Sequence, residues 1–366
     1  MTAPLDLAIV IPTFNERANV AVLVARLDAA LAGIAWEAIF VDDDSPDGTA
    51  DAARELARFD RRVRVIQRIG RRGLATACIE GMCATAAPAV AVIDGDLQHD
   101  ETILPAMLAA LRDDPALDIV VGSRFVDGGG TGEWDRDRVA KSALATRLSQ
   151  RVLNVGLTDP MSGFFMVRTE TLRRLAPRLA GIGFKILLDI MAASDRPLKF
   201  RELPYVFRVR SAGESKLDHV VAMEYLLALY DRKFGRVVPV RFAMFSAIGV
   251  IGVGIHMAVL TLLFAVLGLG FVASQIVATV AAMTFNFFLN NALTYRDRRL
   301  RGARALFDGW VSFCVVCSVG AVANVGVAAF LYDVQNGAWA APALAGVLVG
   351  AVWNYALSSR FTWGRY

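Results

Sequence analysis

Short apolar runs alternate with helix-like segments along the first third of the chain. Residues 17–32 place apolar side chains at helical spacing, and 49–59 and 73–86 do the same. Five runs have the length of buried strands: 5–12, 37–43, 62–68, 89–94 and 117–124. Continuous apolar strands that alternate with helices are typical of a parallel sheet covered on both faces. The pattern predicts an α/β, Rossmann-like, mostly parallel sheet.

The last third of the chain is apolar without this alternation. The 54 residues between Arg241 and Arg296 contain no Asp, Glu, Lys or Arg. Because a spanning helix needs roughly 20 apolar residues, this stretch predicts two helices with a turn near 268–270. Two further apolar stretches follow. We therefore predict an all-α membrane domain of four helices, at about 242–267, 272–294, 306–331 and 339–358.

The membrane part repeats itself with an offset of 68 residues. FNFFLNNALTYR (285–296) aligns without a gap with WNYALSSRFTWG (353–364). The same offset pairs Phe245 with Phe313, Gly252 with Gly320, His256 with Asn324, Asn286 with Asn354 and Thr294 with Thr362. Apolar composition makes chance matches easy, but these matches include polar residues. We predict two copies of a two-helix unit, both entering from the same side of the membrane.

Polar residues inside the predicted spans have two interpretations. His256, Asn286, Asn324 and Asn354 are costly in lipid, so they are expected to face other helices. Hydrogen bonding between helices is favoured, and a ligand path is the alternative. A C-x-x-C in the third span is interpreted as packing rather than as a redox or metal site.

Charge divides the chain of 366 residues, which is 55% hydrophobic, into two parts. Residues 1–241 hold 32 basic and 32 acidic residues, whereas 242–366 hold seven Arg and three Asp. A neutral first part gives no support to nucleic-acid binding. The start of the chain lacks a basic region before its short apolar run, so no signal peptide is indicated.

Orientation follows from the basic residues near the span ends. They precede the first span, separate the second from the third and follow the fourth, and the other two connections carry none. Such residues favour the cytoplasmic side. We predict a multi-pass membrane protein with a cytoplasmic first domain and with its N- and C-termini inside.

Polar residues follow four of the predicted strands. They occupy 12–16, 42–49, 94–98 and 122–124. Ligands of open α/β sheets bind at the carboxyl ends of the strands, so these segments are expected to converge. Turns and helix caps are an alternative explanation for Asp47 and Thr49. A glycine-rich phosphate loop is absent after the first strand, which argues against a dinucleotide cofactor.

Asp96 and Gln98 are oxygen donors separated by one residue. Carboxylate and amide oxygens suit a hard divalent cation that takes its remaining ligands from water and phosphates. A structural salt bridge is the alternative for Asp94 and Asp96. The sequence therefore predicts a metal site after the fourth strand.

Four motifs resemble the inverting glycosyltransferases of family 2, and within that family the polyprenyl (dolichol)-phosphate mannosyltransferases. The motifs are P-T-F-N-E (12–16), D-D-D-S-P-D-G-T (42–49), D-G-D-L-Q-H (94–99) and G-S-R (122–124). The similarity extends through D-P-M-S-G-F-F (159–165), G-F-K (183–185) and R-S-A-G-E-S-K-L (210–217). The membrane part resembles the GtrA-like family. Ala75, Gly95 and the segment 99–101 depart from the family pattern without removing a phosphate or metal ligand.

The resemblance implies a GT-A fold and a set of site residues. The resemblance assigns donor binding to Pro12, Phe14, Glu16, Asp43, Asp44, Asp94 and Lys185. Of these, Asp43 or Asp44 would bind the base or ribose of the nucleotide. Acceptor phosphate binding falls to Arg124, Arg138, Ser142, Arg210 and Lys216. Asp96 and Gln98 would hold Mg²⁺ or Mn²⁺, and Asp94, Asp96 and Arg124 are the implied catalytic residues.

The implied reaction transfers a hexosyl group, with inversion, to polyprenyl or dolichyl phosphate at the membrane. GDP-mannose is the favoured donor, and UDP-glucose is the alternative. The expected domains are a glycosyltransferase at 1–217, an amphipathic juxtamembrane helix at 218–237 and a GtrA-like domain at 238–366. Residues 136–154 form a second basic amphipathic segment, suited to the bilayer surface or to packing on the sheet. Whether the membrane domain is an anchor or a lipid-sugar translocator stays open, as does homo-oligomerisation.

Overall fold

The computed structural model divides the chain into two compact units, Met1–Lys233 and Phe234–Tyr366. The structure describes residues 4–132, 147, 150, 156–179, 181, 186–208, 227, 230, 234–235, 237–334 and 340–364. Of residues 297, 321–334 and 340–347 it describes the backbone only.

The first unit is built on a seven-stranded sheet in the order β3-β2-β1-β4-β6-β5-β7. The strands are β1 Leu7–Thr13, β2 Trp36–Asp42, β3 Val63–Gln67, β4 Ala89–Val92, β5 Ile119–Ser123, β6 Phe165–Arg168 and β7 Phe200–Pro204. Strand β6 runs antiparallel to both of its neighbours, and every other pairing is parallel. The carboxyl ends of β1, β2, β4 and β5 therefore meet at one edge of the sheet, called the rim below.

Helices cover both faces of this sheet. They are α1 Arg17–Ala30, α2 Thr49–Phe59, α3 Leu74–Cys83, α4 Leu104–Asp113, α5 Thr169–Leu175 and α6 Ile186–Ala193. Strand residues alternate between the two apolar clusters: Leu7 and Ile9 pack in one, whereas Ala8 and Val10 pack in the other. This two-residue period is what a strand buried on both faces requires.

All five predicted strands are confirmed, as is the mostly parallel GT-A architecture. The sequence analysis missed β6 and β7. Strand β6 has four residues and lies between β4 and β5, so neither length nor alternation marks it. Strand β7, FRELP, lies at the edge of the sheet and is only partly buried, which removes the apolar signal.

The described part of the second unit consists of four helices. They are α7 Val240–Leu260, α8 Phe271–Leu289, α9 Ala303–Val334 and α10 Ala340–Leu357. Three described segments are long and apolar enough to cross a membrane: Val240–Val266, Phe271–Thr294 and Ala303–Gly320. The prediction of four spans thus holds for three, while the fourth span coincides with α10 and stays a prediction.

The internal repeat is confirmed by matching local structure. Helices α8 and α10 both continue into π-helical turns, Asn290–Thr294 and Ser358–Thr362, which are 68 residues apart. Equivalent residues of the two copies also touch: the rings of Tyr295 and Trp363 stack with centroids 4.0 Å apart. The equivalent ends of the two copies therefore pack against each other.

Candidate active site

Left-handed backbone marks three of the segments at the rim. Asn15 follows β1, Asp44 follows β2 and Leu97 follows β4, with φ angles of 60°, 58° and 63°. Non-glycine residues rarely adopt this conformation, which costs about 1–2 kcal/mol each and concentrates at functional sites. The described residues contain no other non-glycine residue with positive φ. The strained positions therefore coincide with the predicted site.

The loop after β4 is anchored by its middle residue. The side chain of Leu97 is buried in the core, while its neighbours Asp96 and Gln98 lie on either side of it. The backbone N–H of Gln98 donates to Oδ1 of Asp96 at 3.2 Å. The side-chain amide of Gln98 donates to the carbonyl of Arg208 at 3.0 Å, so its oxygen is the atom left for a ligand.

His99 holds Asp94 at the start of the same loop. The backbone N–H of Asp94 donates to Nδ1 of His99 at 3.1 Å. Because Nδ1 accepts, the neutral imidazole carries its proton on Nε2, which lies 3.7 Å from Oδ2 of Asp94. The imidazole is 2% exposed and stacks on Phe164, with ring centroids 5.2 Å apart. Its orientation is therefore fixed by packing.

The residues before β6 complete this wall of the site. Because β6 runs in the opposite direction, its first residues start at the rim where the other strands end. A methyl group added at Gly163 would lie 3.2 Å from Oδ2 of Asp94 and 3.5 Å from Cε1 of His99. Gly163 thus leaves room for both side chains.

The segments after β1 and β2 are tied together by hydrogen bonds. Three successive backbone N–H groups, of residues 15–17, donate to the side chains of Ser45, Thr49 and Asp47. Asp47 also accepts from the backbone N–H of Thr49 at 3.0 Å. Asp47 and Thr49 thus make turn contacts of the kind that the sequence left open as an explanation for both residues.

Two carboxylates after β2 shape the loop that follows β3. Asp43 accepts from Arg68 at 2.8 Å and from the backbone N–H of Gly73 at 2.6 Å. Burial raises the pKa of Asp43, and the Gly73 and Arg68 contacts oppose this rise. Asp44 accepts from Gln67 at 2.9 Å. Contact of either carboxylate with a donor base or ribose stays a prediction.

The predicted base-binding residues lie after β1. Pro12 is buried in the strand, while Phe14 and Glu16 are partly exposed at the rim. The guanidinium of Arg72 lies 4.3 Å from the centre of the Phe14 ring. An aromatic ring beside a guanidinium offers a flat, cationic surface for a nucleotide. Contact of Pro12, Phe14 and Glu16 with a nucleotide base stays a prediction.

Arg124, at the end of β5, forms a buried ion pair. Its Nε and Nη2 donate to the two carboxylate oxygens of Asp159 at 2.7 and 2.8 Å. Burial lowers the pKa of Arg124, but the hydrogen bonds and charge of Asp159 outweigh burial and the pKa is raised. Arg124 is therefore a fixed positive charge. Asp159, which holds it, begins the D-P-M-S-G-F-F motif, but the sequence analysis gave it no role.

Arg208 is a second residue that the sequence analysis missed. Its guanidinium donates to Asp100 at 2.6 Å and to Glu101 at 2.7 Å, and its backbone N–H donates to the carbonyl of Gln98 at 2.8 Å. It thereby fastens the segment after β7 to the loop after β4. The available sequence signal was its position two residues before the R-S-A-G-E-S-K-L motif.

Five predicted phosphate-binding residues lie outside the described residues, as do most of the two amphipathic segments 136–154 and 218–237. The five are Arg138, Ser142, Lys185, Arg210 and Lys216.

The donor set after β4 fits a divalent cation bound mainly through its substrate. The described residues contain no group of three or more His, Cys, Asp or Glu that could hold a metal. A carboxylate and an amide oxygen, Asp96 and Gln98, suit an ion that keeps several waters and binds phosphates.

Two family models match the chain. The one described as "Glycosyl transferase family 2" matches residues 8–176, and "GtrA/DPMS, transmembrane domain" matches 244–363. Together with the GT-A sheet and the acidic rim, they define a membrane glycosyltransferase. Similar proteins narrow this class further. The chain is 34% identical over 322 residues to a dolichol-phosphate mannosyltransferase of Pyrococcus furiosus, covering 87% of this chain and 89% of that protein. It belongs to the dolichol-phosphate mannosyltransferase family.

Two further similarities cover 63% of the chain. A dolichol-phosphate mannosyltransferase of Saccharomyces cerevisiae is 34% identical over 243 residues, which is 63% of this chain and 89% of that protein. A solved glucosyl-3-phosphoglycerate synthase from Mycobacterium tuberculosis, in complex with Mn²⁺ and UDP, is 19% identical, with a TM-score of 0.48 over 63% of this chain and 81% of that one.

Proposed function

We propose that this chain transfers a mannosyl group from GDP-mannose to dolichyl or polyprenyl phosphate, with inversion and with a divalent cation, Mg²⁺ or Mn²⁺. The names of the relatives that match most of the chain support the acceptor and the sugar. The observation that carries the proposal is the loop after β4, which places Asp94, Asp96 and the Gln98 amide oxygen at the rim.

Charge explains why such a site needs metal and arginine. A phosphate acceptor is already anionic near neutral pH, so the reaction needs no strong general base. The acceptor and the donor diphosphate repel each other, and cations at the site must overcome this repulsion. A metal held by Asp96 and Gln98 would neutralise the departing nucleoside diphosphate.

The chain's own residues have distinct parts in this proposal. Arg124 is kept charged and fixed by Asp159. It would bind the acceptor phosphate, as the family motif G-S-R implies. Asp94, held by His99, contacts the donor. Lys185 would bind the donor diphosphate, and Arg138, Ser142, Arg210 and Lys216 would bind the acceptor phosphate, as the family motifs imply.

The reaction would take place at the cytoplasmic membrane face. Every described arginine of the second unit flanks the same ends of the four helices: the starts of α7 and α9 and the ends of α8 and α10. Basic residues favour the cytoplasmic side of a membrane. We propose that the first unit and both termini lie on this side.

Replacing Asp96 by Asn tests the proposal. The amide keeps the shape of the side chain but removes the charge that would hold the metal, so transfer is expected to fall by about a hundredfold or more. Purified full-length protein is assayed with labelled GDP-mannose and UDP-glucose, polyprenyl phosphate and Mg²⁺ or Mn²⁺.

The matched control is Asp113→Asn, an exposed aspartate on α4. Retained transfer by the folded Asp96→Asn variant would contradict the metal role. Transfer from UDP-glucose in preference to GDP-mannose would contradict the proposed donor.

A further inference from the structure

The amide of Gln98 has a fixed orientation in the loop after β4. Its nitrogen donates a hydrogen bond to the backbone carbonyl of Arg208 at 3.0 Å. Because a carbonyl oxygen can only accept, the nitrogen end of the amide faces Arg208 and the oxygen end faces away from it. The backbone N–H of Arg208 in turn donates to the carbonyl of Gln98 at 2.8 Å. One of these two hydrogen bonds decides which amide atom is presented to a ligand.

The guanidinium of Arg208 holds its own backbone beside this loop. It donates to three successive residues that follow Gln98: to the carbonyl of His99 at 3.4 Å, to Asp100 at 2.6 Å and to Glu101 at 2.7 Å. Glu101 is only 5% exposed, and charge-assisted hydrogen bonds are among the stronger ones in proteins. The side chain and the backbone of Arg208 are thus bound to the same short stretch of chain.

Glu101 connects this contact to a rigid element. It is the first residue of a short 3₁₀ helix, Glu101–Ile103, which leads directly into α4. Leu104 and Leu108 of α4 are buried in the core of the first unit. The Arg208 carbonyl is thereby tied, through the carboxylate of Glu101, to a helix whose position is fixed by the core.

The chain also reaches Arg208 from a fixed segment. Tyr205 and Phe207, which follow β7, are buried. The N–H of Gly130 donates to the carbonyl of Tyr205 at 3.1 Å, and the N–H of Phe207 donates to the carbonyl of Gly130 at 2.9 Å. The R-S-A-G-E-S-K-L motif (210–217) begins two residues after Arg208. Arg208 therefore joins the loop after β4 to the segment that leads into this motif.

We infer that Arg208 is a positioning residue for the divalent cation of the proposed reaction. Its carbonyl keeps the oxygen of the Gln98 amide available to the metal, and its guanidinium keeps that carbonyl in place. Replacing a residue that holds a metal ligand typically costs about tenfold to a hundredfold in metal affinity or activity. The inference rests on the proposed metal role of Asp96 and Gln98. Arg208 acts through Gln98 and is not itself a ligand.

Binding of Mn²⁺ to the full-length protein in detergent tests the inference, with GDP present and no acceptor. Electron paramagnetic resonance measures free Mn²⁺, and a protein-free solution of Mn²⁺ and GDP provides the baseline. Arg208→Gln removes both ion pairs of the guanidinium, so the dissociation constant for Mn²⁺ is expected to rise about tenfold or more. Arg208→Lys keeps the charge without the fork of donors and is expected to lose less.

Glu101→Gln removes the strongest buried contact of the guanidinium from the other side and is expected to weaken Mn²⁺ binding as well. Because the two residues act as a pair, the double variant Arg208→Gln/Glu101→Gln is expected to bind Mn²⁺ no more weakly than Arg208→Gln alone. Unchanged affinity in Arg208→Gln, or losses that add in the double variant, would overturn the inference.

The matched control is Arg201→Gln, an exposed arginine on β7. It is expected to bind Mn²⁺ as the unchanged protein does. A loss equal to that of Arg208→Gln would overturn the inference, because it would indicate an effect of overall charge. Thermal unfolding in the same detergent shows which variants keep the fold.

Asp96→Asn separates failure of this inference from failure of the proposed function. It is expected to weaken Mn²⁺ binding more than Arg208→Gln does. Unchanged Mn²⁺ binding in Asp96→Asn would contradict the proposed metal site and overturn the inference with it. A loss in Asp96→Asn beside unchanged affinity in Arg208→Gln would overturn the inference alone.

Discussion

Asp94 illustrates how a single side chain at the rim is positioned by its neighbours in the fold. Nδ1 of His99 accepts a hydrogen bond from the backbone N–H of Asp94, and the Nε2–H of the same imidazole lies near the Asp94 carboxylate. The aromatic cluster around His99, which includes Phe164, Tyr205 and Phe207, holds the ring in place. Catalytic geometry is sensitive to such support, because a shift of about 1 Å can cost about a hundredfold in rate.

His99→Ala is therefore expected to lower transfer by about tenfold to a hundredfold while the protein stays folded. His99→Gln, whose amide can both accept and donate, is expected to recover part of the rate. Steady-state kinetics of the full-length enzyme provide the measurement.

Phe164→Leu is the control for this prediction, because it loosens the packing around His99 and leaves both contacts to Asp94 in place. A loss in Phe164→Leu as large as that in His99→Ala would show that packing alone, and not the imidazole, supports the rate.

At the scale of elements, the two copies of the membrane repeat share the same glycine–asparagine contact between helices. Gly252 of α7 faces Asn286 of α8, and Gly320 of α9 faces Asn354 of α10. In both copies a methyl group at the glycine would collide with the asparagine amide. Each amide oxygen is buried without a conventional hydrogen-bond partner in the described structure, and the glycine Cα–H is the group beside it.

Gly252→Ala and Gly320→Ala are each expected to destabilise the second unit by about 1–3 kcal/mol, the usual range for overpacking. Thermal unfolding in detergent, followed by tryptophan fluorescence, measures the loss. Gly249→Ala, also in α7 but with open space around it, is the matched control and is expected to be neutral or stabilising. Equal behaviour of Gly249→Ala and Gly252→Ala would contradict the close packing.

Sequence patterns predicted the elements that are continuous and apolar, such as β1 and α8, and the motif residues after them. They did not predict β6 or the pair of Arg124 with Asp159, 35 residues away, because both depend on which chain segments meet in space. The turn at Leu97 was also beyond reach, since leucine does not signal a left-handed backbone. Asn15 and Asp44 are residue types that adopt this backbone more readily, so the sequence did carry a signal at those two positions.

The whole molecule combines a neutral unit that carries the rim with a basic, apolar unit built from a repeat. All described residues of the candidate active site belong to the first unit. The second unit could serve as an anchor, or it could move the lipid-linked sugar, for which internal repeats are a precedent. These roles make different predictions for a shortened chain.

Truncation after about residue 236 is expected to keep transfer to a short, soluble polyprenyl phosphate, because the rim residues remain. Vesicle assays with the full-length and truncated proteins then measure movement of the lipid-linked sugar across the bilayer. Loss of this movement alone would assign translocation to the second unit, whereas no difference between the proteins would leave it as an anchor. A folded truncated protein without transfer would contradict the assignment of the chemistry to the first unit.

Leu97 links the shape of the ligand-binding loop to the interior of the first unit. Its backbone is held in an unfavourable turn, and burial of its side chain offsets that cost. Any substitution that loosens the interior beneath Leu97 would let the turn relax and separate Asp96 from Gln98. In such a variant, affinity for the nucleotide sugar should decline at temperatures well below that of global unfolding. The temperature at which activity is lost would then be lower than the unfolding temperature.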